Sequence, residues 1–366
     1  MHKIKAFVKK NIPTAAFVLY AVFLAALAVR IAAALSAPFA DAYNRTGGAF
    51  FRAVFAWMTA IFPFSIAETL LLAALPLGVW YVLYCIKVVP PARLGRHVFG
   101  VLGGLALIFS AFFLNFGAAY GATPLEDKIG LEITAPSTED LIVALSYTEV
   151  QLNQGADEVD FAASGASKMP YSFAELTEKL NAAYDKLYPE YDFLTPLHAP
   201  VKRIALSKPM TYTHLSGIYA VYTGEANVNI NYPDFVIVYT TAHEMAHQRG
   251  VAPEDEANFI AFLVCAASDD PYIRYCGYAN LYEYIADALY SADADAYRSI
   301  ASFLDPAVAG EFAAYSKMFA PYSHSTASAV TDTINDTYLK LQGESAGTKS
   351  YGLVVDLAVA YLKKQY

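Results

Sequence analysis

TTAHEMAHQRGVAPEDEANF, from Thr240 to Phe259, is the stretch on which the fold of the second half of this chain turns. It reads as two helices joined by a glycine turn. His243 and His247 are four apart, so they project from one helical face and can share one metal ion. Glu244 lies a further ~100° round the helix, which suits a base beside a metal site better than a ligand. The helix is expected to start near Pro233–Asp234, with proline favoured in the first turn, and to end at Gly250. Pro253 then opens the next helix, PEDEANFIAF. A catalytic zinc needs three protein ligands and one open position, so this second helix is the expected source of the third. Glu254 is chosen over its rival Glu256. Asn258 follows Glu254 by one turn and could orient His243 or Glu254, whereas Glu256 has only Ile260 at the equivalent place.

Outward from this core, TGEANVN (223–229) reads as a strand that could hold an extended substrate through its main chain, with Gly224, Asn227 and Asn229 along an edge. The stretch 201–230 carries further strand-like runs, RIALS and GIYAVYT. Before it come two helices announced by their caps: STEDLIVALSYTEVQL, and SFAELTEKLNAAYDKLY with Ser172 three residues before Glu175. After it nearly everything reads as helix. The pattern is α+β: a small sheet followed by many helices. A developing oxyanion needs a donor besides the metal, and Tyr351 in KSYG is the first choice, with His324 in YSHS second. Arg249 is expected to bind an acid or helix carbonyls and not substrate.

The first third is of another kind. Three stretches, about 14–36, 66–86 and 97–117, are apolar for long enough to cross a hydrocarbon layer of roughly 30 Å. The segment 44–64 is apolar but interrupted. Residues 1–120 hold ten Lys/Arg against two acids, leaving 15 basic and 32 acidic residues for the rest, a balance of +8 against −17. An acidic second part argues against nucleic-acid binding, which needs clustered Lys/Arg. Lys3, Lys5, Lys9 and Lys10 precede the first span, and Lys87, Arg93 and Arg96 lie between the second and third. The positive-inside rule then places the N-terminus in the cytoplasm and everything after about residue 118 outside. The domains expected are therefore 1–118 in the membrane, a linker over 119–137, and a catalytic domain over 138–366. Three cysteines imply no disulfide framework; only Cys265 and Cys276 could pair.

HEMAHQRGVAPEDEANF resembles the signature of the zincin superfamily of metallopeptidases, in the branch that uses Glu as third ligand. With three N-terminal spans, TGEANVNINY and a terminal SYGLVVDL, the chain is similar to a bacterial family of membrane-anchored proteins read as metallopeptidases. That resemblance implies a mostly helical, zincin-like domain with a small sheet, His243, His247 and Glu254 as zinc ligands, and Glu244 as general base. One departure stands out: only six residues separate His247 from Glu254, fewer than in most zincins with a Glu ligand. The expected activity is hydrolysis of a peptide or protein substrate by metal-activated water, at the outer face of the lipid bilayer. The alternative is a catalytically idle zinc-binding sensor or interaction protein of the cell envelope.

Overall fold

A computed structural model describes residues 2–342 and 353–364. The chain is mostly helical, with a small mixed sheet, and divides into two compact units. One comprises residues 1–122 with 220–225; the other comprises 123–219 with 226–366.

The first unit holds three helices long and apolar enough to cross a membrane: α1 (Thr14–Leu35), α2 (Ile66–Lys87) and α3 (Pro91–Asn115). The third begins six residues earlier and ends two earlier than hydropathy suggested, because Pro91 at its first position starts the helix before the apolar run does. Small residues let α1 and α3 approach closely: a Cβ on Gly103 would lie 3.2 Å from that of Ala16. The interrupted segment before α2 folds as a π-helical turn, Asn44–Gly48, and a helix, Ala49–Ala60. There the fully buried Arg52 guanidinium donates to Asn44 Oδ1 (2.8 Å), Asn44 O (2.7 Å) and Asn115 O (3.0 Å).

Residues 220–225 are built into this unit by specific contacts. The Glu225 carboxylate accepts the amides of Ile66 (3.0 Å) and Ala67 (2.8 Å), two donors that the first turn of α2 leaves without helical partners. Thr59 Oγ1 donates to Thr223 O at 3.0 Å, and Asn115 Nδ2 donates to Val221 O. Gly224 has φ +68°, and a Cβ there would lie 2.5 Å from the Ala56 nitrogen, so only glycine fits.

The second unit starts with helices α4 (Thr138–Ala156) and α5 (Phe173–Leu187). Each opens on a capping box, Ser137 with Asp140 and Ser172 with Glu175. Leu125 and Leu131, from the stretch expected as a linker, are buried in this unit's core. The sheet has strands β1 (Lys202–Arg203), β2 (Gly217–Ala220) and β3 (Glu225–Val228) in the order β1-β3-β2. β1 runs parallel to β3, pairing Lys202 with Asn227 and Arg203 with Val228. β3 is therefore the central strand, and all four of its residues are buried. This corrects the expectation that 223–229 offers a free edge: Asn227 Nδ2 donates to Ile218 O, and Asn229 Nδ2 to Leu215 O. The edge beside it is β2. RIALS is mostly not a strand, since a short helix begins at Ser207.

Helices α6 (Asp234–Gln248), α7 (Glu254–Ala266) and α8 (Pro271–Ala292) pack on one another through Phe235, Val238, Ala242, Phe259, Val264 and Ile285, all fully buried. Cys265 and Cys276 are buried free thiols. Helix α9 (Pro306–Phe319) and, further on, α10 (Leu353–Lys363) follow, with the helix Thr326–Gln342 between them.

Candidate metal centre

Helix α6 opens on an apolar run, Phe235–Tyr239, and it buries nearly every residue from Phe235 to Gln248. Its end is fixed by Gly250, at φ +97°. The Gly250 amide reaches His247 O (3.0 Å) and the Val251 amide reaches Ala246 O (3.2 Å), the paired bonds of a Schellman turn. The same turn sets a histidine. Val251 O lies 2.8 Å from His247 Nδ1, so that nitrogen carries the proton and donates, leaving Nε2 as a lone-pair donor. A second anchor sits one residue earlier. Arg249 is fully buried and donates to Tyr188 Oη (2.8 Å), Met245 O (3.1 Å), Asn181 Oδ1 (2.7 Å) and Leu197 O (2.5 Å). Its guanidinium also stacks 4.0 Å over the Tyr184 ring. Arg249 thus holds helix carbonyls and the neighbouring segments, one of the two roles expected of it.

The turn delivers Glu254, first residue of α7, to the two histidines. His243 Nε2 lies 3.3 Å from Glu254 Oε2, and His247 Nε2 lies 3.6 Å from Glu254 Oε1. The imidazoles stand perpendicular, with centroids 4.6 Å apart, and one ligand atom from each of the three residues falls within 4.8 Å of the others. Ligands about 2.0–2.1 Å from a tetrahedral ion stand roughly 3.3 Å from one another, so the donor set fits Zn²⁺ with one position left over. Glu256 goes elsewhere: it accepts the Leu125 amide at 3.0 Å, and burial pushes its carboxyl up to about 8. Asn258 faces the His243 ring as an acceptor that favours the imidazole proton. Yet His243 Nδ1 and Asn258 Nδ2 are both buried with no partner at full hydrogen-bond geometry.

The charges fit the same picture. Burial works to raise the Glu254 carboxyl, but the two imidazoles, His247 foremost, outweigh it and hold it below the usual carboxylate range. For His247, burial opposes the charge, and Glu254, Glu244 and the Val251 carbonyl together raise it to about 9. Burial lowers His243. These three groups share protons where a divalent cation could take their place. Glu244 is not part of the trio. It is buried beside it, and burial lifts its carboxyl to about 8 against the pull of His247. Its Oε2 has no hydrogen-bond partner.

His324 is exposed on the turn after α9, outside the cluster, and Tyr351 lies outside the described residues. Two contributors went unseen in the sequence. The backbone N–H of Tyr219 donates to Glu244, and Gly217 packs against its side chain. Only a register for β2 could have found them, and GIYAVYT does not supply one.

Fold and site together define a mainly helical protein with apolar helices of membrane-spanning length and a buried His–His–Glu cluster of metal-ligand spacing. The chain belongs to the family described as "Protein of unknown function (DUF3810)", whose profile matches residues 43–359. No curated protein and no solved structure matches it.

Proposed function

We propose that this protein is a membrane-anchored, zincin-like zinc metallopeptidase. His243, His247 and Glu254 would hold Zn²⁺. The reading is carried by the meeting of these three ligand atoms beside Glu244, a buried carboxylate with one oxygen uncommitted.

Zinc, when bound, supplies Lewis acidity toward a water and a substrate carbonyl. The chain's own groups do the rest. His247 is oriented by the Val251 carbonyl, which keeps Nε2 toward the cluster. Glu254 would contribute a carboxylate oxygen as the third donor. Glu244 takes a proton from the attacking water on Oε2 and returns it to the leaving amine. In the metal-free protein burial raises the Glu244 carboxyl, which favours the protonated form that returns a proton to the leaving amine. The basic residues around the spans support an N-terminus in the cytoplasm and a peptidase domain outside it, acting on peptide or protein at the bilayer.

The test is Glu244→Gln in the full-length protein. It should keep its zinc and lose peptide hydrolysis. Hydrolysis retained at full metal loading would remove Glu244 from the mechanism. Zinc binding by the unaltered protein with no hydrolysis of any peptide offered would favour the idle sensor.

A further inference from the structure

Strand β2 lies against Glu244 more closely than any side chain would allow. A Cβ on Gly217 would stand 2.5 Å from Glu244 Oε1, 2.8 Å from Glu244 Cγ and 2.7 Å from Thr240 Cγ2. These are distances that real Cβ atoms essentially never show. Two residues on, the Tyr219 N–H donates to the Glu244 carboxylate. Oε2 is without a partner, so the acceptor is Oε1, the oxygen nearest Gly217.

The sheet leaves that donor available. Asn229 N donates to Ser216 O and Gly224 N to Ala220 O, both at 2.8 Å, so the residue before β2 and its last residue, both even-numbered, turn their carbonyls toward the returning chain. In an antiparallel pair the alternate residues, Gly217 and Tyr219, direct theirs to the free edge. The Tyr219 N–H therefore serves Glu244 at no cost to the ladder.

We propose that Gly217 and Tyr219 are positioning residues that clamp Glu244: the missing Cβ seats the strand on the carboxylate, and the Tyr219 N–H ties down Oε1, leaving Oε2 as the oxygen that handles the proton. This division of labour rests on the metallopeptidase reading; the clamp itself rests on contacts alone. It explains how a flexible glutamate keeps one geometry next to a metal site without a side-chain partner on Oε2.

The experiment is Gly217→Ala in the full-length protein purified in detergent. Three readouts are needed: zinc stoichiometry, thermal midpoint, and kcat and KM on the best-cleaved member of a quenched-fluorescence peptide mixture. Zinc and KM should hold while kcat falls by up to about 100-fold, the loss that displacing a catalytic group by an ångström can cause. The midpoint should fall too. In a Glu244→Ala, Thr240→Ser background, which removes the atoms the new methyl would strike, the same substitution should leave the midpoint unchanged. Should Gly217→Ala alone fail to fold, that background decides: restored folding supports the clamp, and continued failure overturns it. An unchanged midpoint and unchanged kcat in Gly217→Ala also overturn it. If the unaltered protein cleaves no peptide, the proposed function fails, while the midpoint cycle still reads the clamp.

Discussion

Replacing Gly250 by alanine puts a Cβ on a residue held at φ +97°, in the turn that ends α6. A left-handed conformation costs an L-residue about 1–2 kcal/mol. In a domain of this size each kcal/mol moves the unfolding midpoint by about 2–4 °C, so the metal-free protein should melt roughly 2–8 °C lower. The larger effect should fall on the metal. Val251 O, one residue on, fixes the His247 ring through a 2.8 Å hydrogen bond. Losing the outer partner of a ligating histidine typically lowers metal affinity about 10–100-fold. The assay is a zinc titration against a competing chelator, run beside thermal melts of the metal-free protein. A lower midpoint with unchanged zinc affinity would refute the link between the glycine turn and the ligand. An unchanged midpoint would refute the strain.

The other anchor, Arg249, loses four hydrogen bonds and a ring contact on conversion to Met. Thermal or denaturant unfolding should show a clear loss of stability, because each buried acceptor left without a donor costs about 1–3 kcal/mol. Glu256→Gln acts in the opposite sense. The folded Glu256 carboxyl sits at about 8, above its ordinary value, so its contribution is fully present at acid pH and is lost as pH rises through about 8. Glutamine still accepts the Leu125 amide but cannot ionise. The variant should therefore match the parent near pH 4 and melt increasingly higher than it toward pH 8.5, with zinc content unchanged. Cys265 and Cys276 are fully buried, and burial raises both thiols, so alkylating reagents should reach them only on unfolding.

The site was readable where local rules govern and unreadable where distant neighbours do. Helical spacing alone joins His243 to His247, and Gly250 marks the helix end because its backbone needs a positive φ. Ser137 and Ser172 announce α4 and α5 through capping boxes closed within four residues. Glu254 and Glu256 lie two apart near the start of one helix, so their side chains diverge. Which one meets the histidines depends on the turn geometry and on the Leu125 amide that receives the other. The strand order was not legible. Placing β3 at the centre requires Lys202 to pair with Asn227, 25 residues further on, and no short-range pattern encodes that. Gly217 reads as an ordinary strand residue in GIYAVYT, because the need for glycine there comes from Glu244 on a different element. Arg249 gave its chemistry but not its distant partners, which come from α5 and the segment after it.

Zinc stoichiometry of the full-length protein and of its single-ligand variants tests the central claim most directly. The unaltered chain and Glu256→Ala should each carry one zinc per molecule, while His243→Ala and Glu254→Ala should carry none at the same free zinc concentration. Zinc retained in Glu254→Ala, or lost from Glu256→Ala, would contradict the ligand set on which the proposed mechanism stands.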